Sequence, residues 1–404
     1  MKKKIAFVIQ RYGTEVIGGS ESLCRAVAEH LTPYYDVEVL TTCARDYYDW
    51  KNHYPEGPSV CNEVKVLRFR VEGFRRHWRF HRMCKKVYNR PHTLEDERLW
   101  MRYQGPIAPG LYGHLEESRS SYAAVLFFTY LYPTTVDGIT IAPERSILVP
   151  TAHDELQLHL SIFRPIFHSP RKILFNTDAE RLLVHKTFGN SHIPSEVAGI
   201  GVDLPLAAAT PATPVSFASL LEPEKFFLYL GRVDVNKGVR ELAEWFLSGS
   251  SGSSAPEQSE SNRCSLVIAG TPVARLPQHP RLHLLGEVTE PQKEWLLSNC
   301  IALVLPSLYE SLSLSALEAW AHGKAVIARS GSSVMERHVR DSNGGLLFHD
   351  TASLRQALRL LAGNADSRDL MGERGRQYVA ASYSWARITE IYRRSIEEVS
   401  SDSG

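Results

Sequence analysis

The run Ile301-Ala302-Leu303-Val304-Leu305 decides the fold. Pro306 closes it, and Ser307-Leu308-Tyr309-Glu310-Ser311-Leu312-Ser313-Leu314-Ser315-Ala316-Leu317-Glu318-Ala319-Trp320 follows. A short apolar run bounded by proline reads as a buried strand. Leu314, Leu317 and Trp320 then recur at helical spacing, and Gly323 stops the helix. A second apolar run, Ala325 to Ala328, comes next. Strand, loop, helix, strand is the repeat of a parallel α/β sheet. Ligands of such sheets bind where loops leave the carboxyl ends of strands, and a helix starting there offers free N–H groups to anions. This segment also holds two carboxylates, Glu310 in the loop and Glu318 in the helix. A carboxylate repels phosphate but accepts hydrogen bonds from hydroxyls, which points to a sugar.

Length and composition agree with an α/β protein of two domains. The chain has 404 residues, 43% of them apolar, enough for two cores. A net charge of +1 gives no global field to attract nucleic acid. Cys24, Cys43, Cys61, Cys84, Cys264 and Cys300 are scattered, with no C-x2-C pair. Neither a disulfide framework nor a zinc site is expected, and a reducing compartment fits. Lys2-Lys3-Lys4 precede Ile5 to Ile9, a run too short for a signal-peptide core and better read as the first strand. No apolar run approaches the ~18 residues that span a bilayer. The expected location is cytoplasmic, in solution or peripheral on the inner face of the membrane.

After that first strand, Gly18-Gly19-Ser20 opens a helical pattern of Leu23, Val27 and Leu31. Glycines before a helix let backbone approach a ligand, or simply make a flexible turn. Further strands are expected at Val37 to Leu40, Val64 to Phe69, Tyr122 to Phe128, Ile147 to Pro150 and Ile173 to Asn176. His153 stands just past the strand ending at Pro150, at the ligand edge of the sheet. Residues 68–90 are strongly basic, with Phe74, Trp78, Phe80, Met83 and Val87 interleaved. Such a helix can lie on an anionic membrane or pack on its own domain with a solvated basic face. His77 and His81 stand one helical turn apart, but three nearby arginines and the lack of a third ligand argue against a metal.

Residues 204–224, rich in Ala, Pro and Thr, read as a linker. The second half restarts with a strand, Phe226 to Leu230, then Gly231-Arg232-Val233-Asp234-Val235-Asn236-Lys237-Gly238 and a helix from Val239. Two cations on a glycine-flanked strand-to-helix loop suit a diphosphate: arginine as a planar fork, lysine as a point charge. Residues 248–263 form a serine-rich insertion, expected to be a disordered surface loop. Ser265 to Ala269 and His283 to Leu285 read as strands, with Gly286-Glu287-Val288 after the latter. Both halves therefore alternate strand and helix, and parallel sheets are expected.

Taken together, these motifs resemble the retaining nucleotide-sugar glycosyltransferases of the GT-B fold, specifically family 4. The resemblance covers most of the chain and is strongest from Phe226 to Phe348. Glu310-x7-Glu318 is similar to that family's E-x7-E motif, and Gly231-Arg232 with Lys237-Gly238 to its diphosphate loop. Gly18-Gly19 resembles its N-terminal glycine loop and His153 its N-terminal-domain histidine. The resemblance implies two Rossmann-like, doubly wound domains facing a cleft: residues 1–203 on the acceptor side and 225–383 on the donor side. A helix over 384–399 would pack back on the first domain, and 400–404 would be a tail.

It also implies roles. Glu318 would accept hydrogen bonds from the ribose diol, and Glu310 would lie against the donor sugar. Ser311, Leu312, Ser313 and Leu314 would contact sugar and phosphate, and Val288 the base. Arg232 and Lys237 would neutralise the departing diphosphate, His153 would reach the anomeric centre, and Gly18 and Gly19 would admit phosphate or acceptor. No D-x-D motif is present, and neither a metal nor another cofactor is expected. The expected partners are the donor and a glycan or lipid-linked acceptor, recognised between residues 45 and 120. By analogy with the family, the product is a surface polysaccharide or lipid-linked glycan. Ser313, Ser315 and Ser332-Ser333 stand where the family often has glycine or proline. A sugar-nucleotide epimerase or an inactive binding module of the same fold are the alternatives. A Rossmann oxidoreductase is disfavoured, because no strand precedes a G-x-G-x-x-G.

Overall fold

The computed structural model describes residues 2–16, 18–205, 214, 217, 220–233, 237–248, 263–271 and 275–401. Most of the 204–224 linker and nearly all of the serine-rich insertion lie outside the described residues. The chain divides into two units, Met1–Gly201 with Trp385–Gly404, and Val202–Ser384.

The first unit is built on eight strands: β1 (Lys4–Val8), β2 (Asp36–Thr42), β3 (Gly57–Cys61), β4 (Val64–Phe69), β5 (Ala124–Phe128), β6 (Ser146–Val149), β7 (Lys172–Phe175) and β8 (Ser195–Val197). Their order in the sheet is β3-β4-β2-β1-β5-β6-β7-β8. From β1 the chain winds outward through β2 to β4, then returns to β5 on the other side of β1. That reversal makes the gap between β1 and β5 a topological switch point, the usual ligand crevice of an open α/β sheet. The central strands read as continuous apolar runs because both faces are covered: Ile5, Ala6, Phe7 and Val8 are fully buried, as is all of Ala124–Phe128. The last helix, Trp385–Ser401, belongs to this unit and buries Ile388, Ile391, Tyr392 and Ile396. Gly201 sits under Trp385, where a Cβ would stand 2.2 Å from the indole.

One expectation fails here. The sheet is not wholly parallel, because β3 pairs antiparallel with β4. Asn62 and Glu63 both take positive φ, at 48° and 67°, the backbone of a tight hairpin turn. The hairpin lies at the sheet's edge, where Val60 is 71% exposed, so apolar patterning did not mark it.

The second unit carries β9 (Phe226–Leu230), β10 (Ser265–Ala269), β11 (Leu282–Gly286), β12 (Ala302–Leu305), β13 (Ala325–Arg329) and β14 (Gly345–Phe348). All pairings are parallel, in the order β11-β10-β9-β12-β13-β14. The switch point falls between β9 and β12, since the chain leaves β9 toward β11 and returns to β12 beside it. The buried core includes Phe227, Tyr229, Val239, Leu242, Leu266, Ile268, Val304 and Ile327. Both units are thus doubly wound α/β sheets. Among the described residues no helix is long and apolar enough to cross a membrane.

Candidate functional site

In the second unit the loops that leave β9 and β12 flank the switch point, and they hold most of the residues singled out in the sequence. The β9 loop begins at Gly231, whose N–H bonds Ala269 O at 3.0 Å, and Val233 N–H reaches Thr271 O at 3.1 Å. Gly270 packs so closely that an added Cβ would stand 1.8 Å from Gly231 O. Only glycine fits there, and the β9 loop is held flat on its neighbour. At the far end Gly238 takes φ 69° as N-cap of the helix Val239–Leu247. A Cβ on Gly238 would lie 3.0 Å from Pro306 O, so this helix start abuts the first residue of the β12 loop.

The two loops meet again through charge. Lys237 Nζ stands 2.7 Å from Glu310 Oε1, with side chains 25% and 12% exposed. Arg232 is half-buried, its own carbonyl accepting from Tyr229 Oη at 2.6 Å. Past Glu310 the chain turns sharply at Ser313, a non-glycine residue at φ 66°, ψ 74° that serves as N-cap of the helix Leu314–Ala321. No side chain caps that helix. The Ser313 residue is 7% exposed, and its Oγ is buried without a hydrogen-bond partner. A left-handed serine with an orphaned hydroxyl costs stability, and a polar ligand at the helix start would satisfy it. Trp320 anchors the helix from below: it is fully buried and its Nε1 donates to Gly344 O at 2.8 Å.

Glu318 emerges from this helix and meets a residue that the sequence reading missed. Lys293, on the helix Glu290–Asn299 after β11, places Nζ 2.8 Å from Glu318 Oε1 and 2.7 Å from Glu290 Oε2. Burial opposes the lysine's charge, but Glu318 and Glu290 hold its pKa above the usual range. Burial pushes the Glu318 carboxyl up, and Lys293 restrains that rise. Val288 is half-buried between β11 and this helix. Beneath the β12 loop, His338 is buried, with Nδ1 2.9 Å from Tyr378 Oη. Burial depresses its pKa to about 4.

In the first unit the candidates sit at the same edge of the sheet, past the ends of β1 and β6. Gly18 has an internal purpose: a Cβ there would stand 2.1 Å from Glu21 Oε2. Glu21 is buried and accepts from Gln10 Nε2 and Ser20 Oγ, each at 2.9 Å, and from Arg11. Gly19 faces open space, with nothing within 4 Å of a built Cβ. His153 Nε2 lies 3.3 Å from Glu155 Oε2, and Glu155 accepts from Tyr130 Oη at 2.5 Å. The loop bearing His153 is fixed by Glu180, another residue the sequence reading passed over. Its buried carboxylate accepts from Ala152 N at 2.5 Å and Asn176 N at 2.6 Å, tying the β6 and β7 loops together. Burial raises its pKa to about 8.

Among the described residues no group of three His, Cys, Asp or Glu side chains could hold a metal. His77 and His81 stand 6.3 Å apart, ring to ring, and His81 Nδ1 is engaged with His77 O at 2.7 Å.

The fold has known counterparts. HepE of Anabaena, solved with UDP and glucose, superposes at a TM-score of 0.68 over 98% of this chain and 100% of its own, at 14% identity. Sucrose-phosphate synthase of Thermosynechococcus elongatus gives 0.68 over 98% and 100%, at 17% identity. The fold is GT-B. Residues 224–364, the second unit's sheet and both of its loops, match the family described as glycosyl transferases group 1. An uncharacterized glycosyltransferase of Methanocaldococcus jannaschii is 25% identical over 190 residues, 44% of this chain and 46% of its own. The chain spans about half the length of the curated relatives it matches.

Proposed function

We propose that this chain is a retaining glycosyltransferase of family 4, moving a sugar from a nucleoside-diphosphate sugar to a glycan or lipid-linked acceptor. The observation that carries the reading is the pair of lysine–carboxylate contacts, Lys237–Glu310 and Lys293–Glu318, on loops and helices around one switch point. Each carboxylate stands within 3 Å of a lysine that orients it to accept from sugar hydroxyls. Glu318 takes the ribose diol, Glu310 the donor sugar, and Val288 the base. Ser311, Leu312, Ser313 and Leu314 line the sugar and phosphate, with the Ser313 hydroxyl gaining the partner it lacks.

Bond cleavage puts negative charge on the diphosphate and positive charge on the anomeric carbon. Arg232, Lys237 and the uncapped start of the helix Leu314–Ala321 meet the former. On this reading no metal is required. The leaving phosphate takes the acceptor's proton on the same face, so Glu310 is not a nucleophile. His153, steadied by Glu155, serves the donor sugar, and Gly19 leaves room for phosphate or acceptor. HepE's complex with UDP and glucose favours UDP among the donors to try first.

On this reading the chain works in the cytoplasm, either in solution or at the inner face of the membrane, where a lipid-linked acceptor of polysaccharide biosynthesis would be met. Phe74, just before the basic helix His77–Asn89, and Trp78, in its first turn, are 62% and 63% exposed and support membrane contact. The test is incubation with UDP-, GDP- and ADP-sugars, following melting temperature and nucleotide release. One donor should raise the melting temperature and be slowly hydrolysed, with hydrolysis lost and the rise in melting temperature reduced in Glu318→Ala and Arg232→Ala. Isomerised donor without free nucleotide would identify an epimerase instead, and a donor that binds without turnover a binding module.

A further inference from the structure

A cavity of about 130 Å³ opens on the first unit; its lining includes Trp50, Phe74, Arg76, Arg79, Arg102 and Tyr103, and neither the glycine loop nor His153 belongs to it. A water's share of liquid volume is about 30 Å³, so the space is on the scale of one or two phosphoryl groups. The charges around it are unbalanced. Among the described residues no acid pairs with Arg76, Arg79 or Arg102, whereas the neighbouring Lys86 and Arg98 are paired with Asp96 and Glu95. Arg75, also in the lining, is committed to structure: Nε and a terminal nitrogen donate to Gln104 O at 3.0 and 2.6 Å. Glu72 is the one acid in the lining, and it is exposed.

The local helix makes the imbalance sharper. Arg76 is the N-cap of His77–Asn89, Arg79 lies in its first turn, that turn holds no acid, and no side chain caps it. Cations at a helix N-terminus oppose the macrodipole. The next helix, Leu94–Gln104, shows the ordinary arrangement: Glu95, Asp96 and Glu97 in its first turn and a capping box from Thr93. Arg76 and Arg102 are exposed, and Arg79 is half-buried with its guanidinium over the Trp78 ring. Three guanidinium groups of like charge around one small space, with aromatic walls from Trp50 and Tyr103, leave room and donors for an anion. Guanidinium forks match phosphate oxygens in pairs.

We propose that this cavity is an oxyanion site that takes a phosphate or diphosphate group carried by the acceptor. The word acceptor rests on the transferase reading above; the anion site itself does not. A phosphate could come from a lipid headgroup or from a soluble phosphorylated sugar.

Inorganic pyrophosphate is the first probe, titrated against the full chain by tryptophan fluorescence, with UDP titrated in parallel. Pyrophosphate should bind Arg232→Gln, in which the other anion loop is disabled. In Arg79→Gln/Arg102→Gln its affinity should fall at least tenfold, with the UDP response unchanged. The exposed charge reversal Arg76→Glu should do the same, which guards against a double variant that fails to fold. Loss of all pyrophosphate binding in Arg232→Gln, with normal binding in the Arg79/Arg102 and Arg76 variants, would overturn the site. Vesicles of phosphatidylcholine with phosphatidylglycerol form the second arm. Vesicle binding that pyrophosphate competes away assigns the site to a lipid phosphate. Pyrophosphate binding without vesicle binding assigns it to a soluble phosphorylated acceptor.

Discussion

Lys293 Nζ lies 2.8 Å from Glu318 Oε1, across 25 residues of chain, and each side chain is less than one-fifth exposed. A half-buried carboxylate would otherwise drift toward its neutral form. The lysine keeps it an acceptor, as a ribose diol requires. Removing the carboxylate removes a charge-assisted bond worth about 1.5–3 kcal/mol, so Glu318→Ala should weaken nucleotide binding by about tenfold to a hundredfold in calorimetric titration. Lys293→Met keeps the packing but removes the counter-charge. Wild-type nucleotide affinity should fall as pH drops through the raised Glu318 pKa. In Lys293→Met that fall should move to higher pH. An unshifted pH profile would mean that the lysine does not tune the carboxylate.

The Lys237–Glu310 contact predicts a different pattern. Lys237 is proposed to act on charge that develops during cleavage, so Lys237→Met should lower kcat for donor hydrolysis by about a hundredfold to a thousandfold with little change in KM. Glu310→Gln leaves the lysine without its anchor and should also lower kcat. Because the two side chains form one contact at 2.7 Å, the double variant should be no worse than about the weaker single one. Strict additivity of the two losses would sink this coupling.

Much of this site was legible because its parts are local. Phe226 to Leu230 and Ile301 to Leu305 are short apolar runs, each followed by a loop with distinctive residues, and the structure puts both at the switch point. Lys293 and Glu180 were not legible. Each is one ordinary charged residue on a helix, and its meaning comes from partners 25 and 28 positions away. The edge strand Gly57–Cys61 was missed because an exposed edge strand needs no apolar alternation, and the turn that joins it to Val64–Phe69 uses Asn62-Glu63 rather than a glycine. Gly18 was read as a ligand approach or a flexible turn, whereas its close neighbour is Glu21, in the first turn of the helix Gly19–Leu31.

Ser313 offers a test in which stability and function move apart. Its φ of 66° is a conformation that glycine adopts freely, and its hydroxyl is buried without a partner. Ser313→Gly should leave the melting temperature unchanged or raise it, by up to about 1 kcal/mol of stability. If the hydroxyl serves the donor, the same variant should bind the donor sugar more weakly while binding the bare nucleoside diphosphate normally. Equal loss for both ligands would assign the serine to the phosphate instead.

Glu180 and His338 give opposite pH signatures, one in each unit. The Glu180 carboxyl rises from 4.5 to about 8 on folding. The folded state therefore holds a proton that the unfolded chain has released, and stability should fall as pH rises from about 4.5 to about 8. His338 is depressed from 6.5 to about 4. Its contribution is present above pH 6.5 and lost as pH falls toward 4. Between 4.5 and 6.5 the two slopes oppose one another. From 6.5 to 8 Glu180 acts alone of the two, at up to about 1.4 kcal/mol per pH unit. Melting followed by circular dichroism should show the first unit losing stability over that interval, and Glu180→Gln should flatten the slope. His338→Asn should leave this alkaline limb intact and flatten the acid one in the second unit. An alkaline slope that persists in Glu180→Gln would assign the titration to another group and leave Glu180 as a plain structural clamp on the His153 loop.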